Sequence, residues 1–358
     1  MNQRGQRSFA LTPEEQQKRK FFLGATLITC IALAMVFGTI HVVKLGSNRM
    51  ADMRSKAGYD LKDVDKHIRA AGEDIELHKQ HELQKEAQIT YAETEISTLL
   101  TSEKWQDVDS QVKIPAGYFS MGTDSERADP QNKPQHKVWT DAYYIDKYPV
   151  TYAQYARFVA KTNYRPPSDW KQGRIPDQKV LHPVTMVSWY DARNYCEFMG
   201  KRLPTEAEWE KAARGETGVR WPWGNEMDPT KLNTYYNVGA TTVVDKYTQA
   251  VSPYGVFDMA GNVSEWTGSD FKPYSGSDAP GDLFKPKVVV AQTAQDRALK
   301  VADLVPVEKG VYKVRRGGSW KSDPFATAAY HRNFSLPYYA SDFFGFRCAK
   351  NSDTIGEK

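Results

Sequence analysis

The residues best suited to chemistry lie in one segment near the end of the chain, RRGGSWKSDPFATAAYHRNFSLPYYASDFFGFRC, residues 315–348. An enzyme pocket needs titratable side chains that converge. The segment offers four candidates for such a pocket, which are Arg316, Asp323, His331 and Arg332. Its only cysteine, Cys348, is the last residue, so the segment holds no pair of thiolates that could bind a soft metal ion.

Two other kinds of site are disfavoured by the sequence. Ser319 in GGSW lacks the strand–turn–helix context of a nucleophile elbow, and its neighbouring glycines favour a tight turn. His136, His182 and His331 are isolated from one another, whereas a metal site needs several converging ligands. We therefore expect hydrogen-bonded structural histidines rather than metal ligands.

The three cysteines of the chain contain no CxxC pair, which argues against a zinc site. Cys30 lies in an apolar run, where a thiol behaves as a small hydrophobic group. Spacing alone leaves two interpretations of Cys196 and Cys348 open. They form a disulfide, which would fit an oxidising compartment, or they are separate buried thiols.

An apolar run near the N-terminus predicts on which side of a membrane the rest of the chain lies. Residues 21–40, FFLGATLITCIALAMVFGTI, carry no charge and match the length of about 20 residues that crosses a bilayer as a helix. Lys18, Arg19 and Lys20 precede the run, so the N-terminus should face the cytoplasm. The alternative is a cleaved signal peptide, whose apolar region is usually shorter. We predict a cytoplasmic tail over residues 1–20 and a transmembrane helix over residues 21–44.

Residues 45–108 are predicted to form a helical stalk with a partial coiled coil. Apolar residues follow one heptad phase in two stretches, Leu61, Val64, Ile68, Ala71 and Ile75, then Ile89, Ala92, Ile96 and Leu99. The phase meets polar residues in between, so the segment is two helices or one helix docked on an uneven surface. Two roles stay open, a solvated spacer or an oligomerisation or docking helix.

Beyond Lys113 the sequence changes to short segments that are rich in turns and aromatic rings. Capping boxes predict helices in SWYDARNYCEFMG, which begins at Ser188, and in TEAEWEKAARG, which begins at Thr205. Gly200 and Gly215 suit the ends of these two helices. The stretches YYID, TTVVDKY and YKVRRG are predicted as short strands.

A series of strings in fixed order resembles the formylglycine-generating enzyme (sulfatase-modifying factor) domain family. The series runs from IPAGYFSMGT through HKVWTDAYYIDKYPVTYAQYARFV and HPVTMVSWYDARNYCEFMGKRLPTEAEWEKAARG to WPWGN, SPYGVFDMAGNVSEW, RRGGSW and GFRCA. The resemblance implies an α+β fold related to C-type lectins, with little regular secondary structure. We place this domain over residues 109–352, followed by a tail over residues 353–358.

The resemblance also bears on the cysteines. Family members often join a cysteine in the YC helix to the one in GFRC, which here implies a Cys196–Cys348 disulfide. A second family bridge is ruled out, since its positions hold Ala213 and Ala329. The catalytic enzymes bind copper through two cysteines between GGS and GFRC. Here Ser322 and Thr327 fall near those positions, so we expect neither copper nor formylglycine synthesis, and we interpret the domain as a pseudoenzyme.

A structural calcium site is the one cofactor that the resemblance implies. It would use the side chains of Asn262 and Glu265 and the carbonyl of Val263, because hard oxygen ligands suit Ca²⁺. The alternative is that these side chains only hold a turn. A second family site would lie near Asn233 and Thr234, but the loop that completes it is shorter here, which argues against it.

One segment, about residues 275–312, is longer than in typical members of the family. It includes KPKVVVAQ and the helix-like TAQDRALKVADLV, in which Leu299, Val301, Leu304 and Val305 could form an apolar face. Long insertions on a packed domain are tolerated and are often functional. We interpret the insertion as a partner-docking element, with folding back on its own domain as the alternative.

These features lead to one prediction of function. The net charge of +4 gives no reason to expect a nucleic-acid partner. We expect a non-catalytic, single-pass protein of the plasma or bacterial inner membrane, with its domain in the periplasm or outside the cytoplasm. It would join other subunits of a membrane complex, respiratory or secretory, through its helix, stalk and insertion. The alternatives are an enzyme with thiol-independent chemistry and a lectin-like ligand-binding protein.

Overall fold

The computed structural model describes residues 91, 93–285, 287–289, 304–306 and 311–352. The predicted transmembrane helix, residues 21–44, and most of the predicted stalk lie outside the described residues. Within the described ranges, no helix combines the length and the apolar character that crossing a membrane requires.

Short elements joined by long loops make up the described part of the chain, which confirms the predicted mixture of helix and sheet with little regular secondary structure. The helices are α1 (Glu93–Ser97), α2 (Ser102–Val108), α3 (Tyr152–Thr162), α4 (Trp189–Phe198) and α5 (Glu206–Arg214). Single 3₁₀ turns span Pro130–Asn132, Gly281–Phe284 and Pro324–Thr327.

The strands are β1 (Gln111–Ile114), β2 (Gly117–Met121), β3 (His136–Thr140), β4 (Tyr143–Asp146), β5 (Ser264–Asp270), β6 (Lys287–Val289), β7 (Leu304–Pro306), β8 (Lys313–Arg316), β9 (Asn333–Ser335), β10 (Phe344–Phe346) and β11 (Ala349–Asn351). They form a four-stranded sheet in the order β10-β5-β8-β9 and a three-stranded sheet in the order β1-β4-β11. Two-stranded sheets pair β2 with β3 and β6 with β7. In the four-stranded sheet only the β10–β5 pair is parallel.

Local capping chemistry determines where two helices begin, as predicted. Ser188 and Asp191 form a reciprocal capping box at α4, and Thr205 and Glu208 form one at α5. A third capping box, which the sequence analysis did not single out, begins α3 at Thr151. Two of the predicted strands, YYID and YKVRRG, are confirmed as β4 and β8.

The prediction of a strand in TTVVDKY was wrong. The backbone N–H of Thr242 donates to the side chain of Asn262, at 2.9 Å, and that of Val244 donates to the carbonyl of Leu181. Loops therefore take the hydrogen bonds that a neighbouring strand would need, and the segment forms turns.

The predicted helix in the insertion is corrected at its end. Leu304 and Val305 belong to β7, which pairs antiparallel with β6. Three-residue strands rich in β-branched and aliphatic side chains suit a pleated pair better than a helix. Leu299 and Val301 lie outside the described residues, so the docking role of the insertion stays a prediction.

A disulfide lies within a large buried cluster of aromatic and aliphatic side chains. Cys196 on α4 bonds to Cys348, which follows β10, with their Cα atoms 5.6 Å apart. Both cysteines are fully buried among aromatic rings such as Tyr155, Tyr195 and Phe346. The predicted Cys196–Cys348 bridge is confirmed. Ala213 and Ala329 share a second buried cluster, so the positions of the missing bridge are packed with small side chains.

The C-terminal end of the predicted stalk packs on the domain. Ile96 of α1 is buried in the same cluster as the disulfide, and Trp105 of α2 packs against that cluster. Arg157 on α3 lies over the Trp105 ring and donates to both carboxylate oxygens of Asp109, at 2.7 and 2.9 Å. Residues 93–108 are thus two short helices that dock onto α3, rather than one continuous helix.

Candidate functional site

The segment that carries the candidate chemistry begins where β8 ends. Gly317 and Gly318 follow Arg316 with φ values of +89° and +67°. A Cβ atom on Gly318 would lie 2.7 Å from the carbonyl oxygen of Ala326, so only glycine allows the two parts of this loop to approach so closely. The loop from residue 317 to residue 332 therefore folds back on itself.

The hydroxyls near the family's thiol positions hold this loop together. Ser322 Oγ accepts from the backbone N–H of Ser319 at 2.9 Å. Thr327 is fully buried, donates to the carbonyl of Pro324 at 2.6 Å and accepts from Trp221 Nε1 at 3.1 Å. Both side chains are used in turns, and neither can supply the thiolate chemistry of a copper site.

A cleft of about 240 Å³ opens beside the folded loop. Residues from three parts of the chain line it. Its charged and larger aromatic lining side chains are Arg127, Asp129, Arg220, Asp323, Phe325, Tyr330 and His331. The structure thus brings together two of the four predicted pocket residues, Asp323 and His331.

The other two predicted pocket residues, Arg316 and Arg332, are buried and do not line this cleft. Arg316 donates to Glu206 and Glu210 and to the carbonyls of Ala329 and Tyr330. Arg332 donates to both carboxylate oxygens of Glu206, at 2.7 and 2.9 Å. A buried charge is costly unless it is paired and hydrogen-bonded. Both arginines are paired with glutamates, while Arg316 Nε has no hydrogen-bond partner among the described residues. We call Arg316, Arg332, Glu206 and Glu210 the ion-pair framework.

His331 contributes a neutral ring to the cleft. Its burial lowers the pKa of the imidazole, which outweighs the opposite effect of Asp129. Its Nδ1 lies 3.4 Å from Asn132 Nδ2 and 3.8 Å from the Asp129 carboxylate. A histidine with a lowered pKa is uncharged at neutral pH, so the fixed cations of the cleft are the arginines.

Arg220 is the cleft residue that sequence reasoning missed. Its guanidinium lies 4.9 Å from the Trp221 ring centroid and 5.8 Å from those of Phe325 and Tyr330. Its Nε is buried and has no hydrogen-bond partner among the described residues. The signal was the string WPWGN, which Arg220 immediately precedes, because an arginine next to tryptophans can stack on them.

The side chains predicted to bind calcium have protein partners in this structure. Glu265 accepts from Arg347 through both oxygens, at 2.6 and 2.7 Å, and from Trp209 Nε1 at 2.8 Å. Asn262 Oδ1 accepts from the backbone N–H of Thr242 and from Asn233 Nδ2. These contacts fit a buried ion pair and an anchored turn, and they give no argument for calcium at Asn262, Val263 and Glu265.

Asn233 and a residue missed by sequence reasoning belong to the same buried region. Asn233 Oδ1 has no hydrogen-bond partner among the described residues. Asp258 accepts from Asn262 Nδ2 at 2.8 Å, and its burial raises the pKa of the carboxyl to about 7. In the described part of the chain, no three or more His, Cys, Asp and Glu side chains are grouped in a way that could hold a metal ion.

Comparisons with known proteins identify the family to which this fold belongs. The family model described as sulfatase-modifying factor enzyme 1-like domain matches residues 97–352. "Serine/threonine-protein kinase pkn1" of Chlamydia pneumoniae is 34% identical over 256 residues, which cover 67% of this chain and 38% of that protein. The chain spans less than two fifths of each of three such chlamydial proteins, of which it covers 38%, 37% and 38%.

Two further relatives resemble the chain over most of their own length. "Inactive C-alpha-formylglycine-generating enzyme 2" of Bos taurus is 29% identical over 317 residues, which cover 71% of this chain and 93% of that protein. The structure of PvdO from Pseudomonas aeruginosa aligns with a TM-score of 0.53 at 26% identity, over 69% of this chain and 96% of that one. The family model alone matches well over half of the chain. The chain therefore belongs to the sulfatase-modifying factor family, whose namesake is the formylglycine-generating enzyme.

Proposed function

We propose that this chain is a non-catalytic, membrane-anchored member of its family that serves as an accessory subunit of a membrane protein complex. One observation carries the proposal. No cysteine occurs between Gly317 and Gly345, and the hydroxyls of Ser322 and Thr327 are used in the turns of the loop. A domain that has kept the family's fold without its thiols can still present a rigid surface to a partner.

The name of one relative supports the non-catalytic part of the proposal. The bovine relative, which the chain covers over 93% of its length, is named as an inactive formylglycine-generating enzyme. Members of the family can therefore lack the activity. The resemblance to the chlamydial kinases covers only 38% of the Chlamydia pneumoniae protein, so we do not transfer the kinase activity.

The anchor and the location rest on the sequence. Residues 21–40 have the length and composition of a membrane-spanning helix, and Lys18, Arg19 and Lys20 favour a cytoplasmic N-terminus. The Cys196–Cys348 disulfide supports a domain on the oxidising side of the membrane, because such bonds persist there. Partners would contact the transmembrane helix, the stalk or the insertion.

The test is extraction of the full-length chain from its native membrane in mild detergent. Mass spectrometry would identify co-purifying proteins, and elemental analysis would measure calcium, copper and iron on the same sample. Stoichiometric membrane partners without copper are the expected result. A matched sample that lacks the insertion, about residues 275–312, would show whether the partners need it.

Two outcomes would contradict the proposal. A monomeric protein that carries copper or iron and no partner would indicate an enzyme. Conversion of a cysteine-containing sulfatase peptide to the formylglycine product would do the same, and mass spectrometry of the peptide would detect it. Calcium in the sample would support the predicted structural site, which the described side-chain contacts do not favour.

A further inference from the structure

We propose that the cleft beside the 317–332 loop binds a carboxylate group that is carried next to an apolar group, with Arg220 as the main binding residue. The proposal concerns the cleft alone. It goes beyond the role of a membrane subunit and does not depend on an anchor or on a complex.

The strongest observation is an arginine without an anion. None of the ion pairs among the described residues involves Arg220, although it is half-buried. Its guanidinium makes no hydrogen bond to another described residue, and the terminal nitrogens are the ones that can face the cleft. A guanidinium has five N–H donors and no acceptor, so an unpaired one in a cleft is a ready site for an oxyanion.

The Arg220 side chain is held in place before any ligand arrives. Its backbone N–H donates to Asn225 Oδ1 at 3.0 Å, and its carbonyl accepts from the N–H of Ala329 at 2.9 Å. The rings of Trp221, Phe325 and Tyr330 surround the guanidinium. A preorganised group loses less entropy on binding, so this arrangement favours affinity.

A second arginine and two carboxylates determine the charge of the ligand. Arg127, which is exposed and also has no ion pair among the described residues, lines the same cleft. Asp129 and Asp323 balance the two arginines, and one oxygen of Asp323 accepts from the N–H groups of Phe325 and Ala326. Because the repulsion from Asp129 and Asp323 grows with the charge of the ligand, the cleft suits a singly charged carboxylate better than a phosphate dianion.

The rim of the cleft explains the apolar part of the ligand. Phe325 is 61% exposed, so its ring is accessible to a ligand, and it lies beside the Arg220 guanidinium. Arginine and aromatic residues together are typical of binding hot spots. A volume of about 240 Å³ admits a group the size of one amino-acid residue.

The first experiment measures the binding of two small probes to the full-length protein, one with a charged carboxylate and one neutral. N-acetyl-L-leucine carries the carboxylate and the apolar group, and N-acetyl-L-leucinamide replaces the carboxylate by a neutral amide. Calorimetric titration should give an affinity for the acid at least about tenfold higher than for the amide, because hydrogen bonds between charged groups contribute more than neutral ones. Equal affinities would overturn the proposal without recourse to any variant.

The second experiment assigns the effect to Arg220. Arg220→Gln should lower the affinity for the acid by about tenfold or more and abolish the preference for the acid over the amide. Arg193→Gln is the matched control, since Arg193 also lies over two rings, those of Trp189 and Tyr190, but pairs with Glu197 and lies outside the cleft. An unchanged preference in Arg220→Gln would contradict the assignment.

Inorganic phosphate is the third probe. Weaker binding than that of N-acetyl-L-leucine is the expected result. Tighter, Arg220-dependent binding of phosphate would overturn the choice of a carboxylate in favour of a phosphate site. A peptide that ends in leucine, Ac-Gly-Gly-Leu, distinguishes the source of the carboxylate, because a gain over the single residue would indicate a peptide terminus and equal affinity a free acid.

Discussion

The ion-pair framework and the cleft are neighbouring regions that use arginine in opposite ways. In the framework, Arg316 and Arg332 are buried and each pairs with a glutamate of α5. In the cleft, Arg127 and Arg220 reach the surface and have no such pair among the described residues. The comparison separates arginines that hold the fold from arginines that are available to a ligand, and the separation follows from where the carboxylates lie.

The largest expected effect would test the framework. Among the described residues, Arg316 is the one cation in contact with both Glu206 and Glu210, and Arg316→Gln removes the charged donor to Glu210 Oε2. Breaking a buried ion pair typically costs about 3–5 kcal/mol, so the free energy of unfolding should fall by about that amount. Urea denaturation followed by circular dichroism would measure it. A loss below about 1 kcal/mol would show that the framework is not structural.

A somewhat smaller loss of stability is expected when the disulfide is removed. The disulfide lies in a different buried cluster of the same domain. Replacing Cys196 by Ala should lower the free energy of unfolding by about 2–5 kcal/mol, because the bond restricts the unfolded chain. The double variant Cys196→Ala/Cys348→Ala is the control, and it should resemble the single variant. Equal urea midpoints for the single variant and the parent would contradict a formed disulfide.

The loop between the two regions can be tested through its glycine. Gly318→Ala places a Cβ atom 2.7 Å from the Ala326 carbonyl oxygen at a φ of +67°, so both a clash and backbone strain oppose it. We expect a loss of about 1–3 kcal/mol in thermal or urea unfolding. Gly255→Ala is matched for positive φ, at +91°, but has open space around it, so it should cost about 1 kcal/mol or less. If both variants lose the same stability, close approach is not what requires Gly318.

Among the described residues, Lys179 is another cation without a carboxylate in contact, and the histidine beside it makes stability depend on pH. Lys179 Nζ lies 3.2 Å from His182 Nδ1, and burial, followed by the charge of Lys179, lowers the pKa of His182 to about 4. The folded state therefore binds fewer protons than the unfolded state between pH 6.5 and about 4, and stability falls as the pH falls through that window. After a discount for solvent screening, the loss between pH 7 and pH 5 is about 1 kcal/mol. His182→Gln should reduce this dependence in urea titrations at the two pH values, and an unchanged slope would assign it to other groups.

The smallest loss of stability is expected for Arg220→Gln, the cleft counterpart of Arg316→Gln. Arg220→Gln removes a guanidinium that has no ion pair in the described part of the chain, so only ring contacts are lost. The free energy of unfolding should change by about 0.5–1 kcal/mol or less. A loss as large as that of Arg316→Gln would mean that both arginines hold the fold, and the distinction between the two regions would fail.

Local sequence patterns were sufficient for several elements. Ser188 and Thr205 were predicted as helix starts because a capping box joins residues only three positions apart, and YYID and YKVRRG were predicted as strands. The order of the family strings predicted the fold class and the Cys196–Cys348 bridge. TTVVDKY looked equally strand-like but became turns, since its backbone hydrogen bonds go to Leu181 and Asn262.

The sequence by itself determined the family, the missing thiols and the residue types available near the end of the chain. Only the tertiary structure decided which arginines are paired. Arg316 meets Glu206 and Glu210 across separations of 110 and 106 residues, while Arg220 meets rings and no carboxylate among the described residues. Helix caps and short strands arise from neighbours in the chain, which a pattern can reveal. The partner of a buried charge is set by how distant segments pack, and no local spacing contains that information.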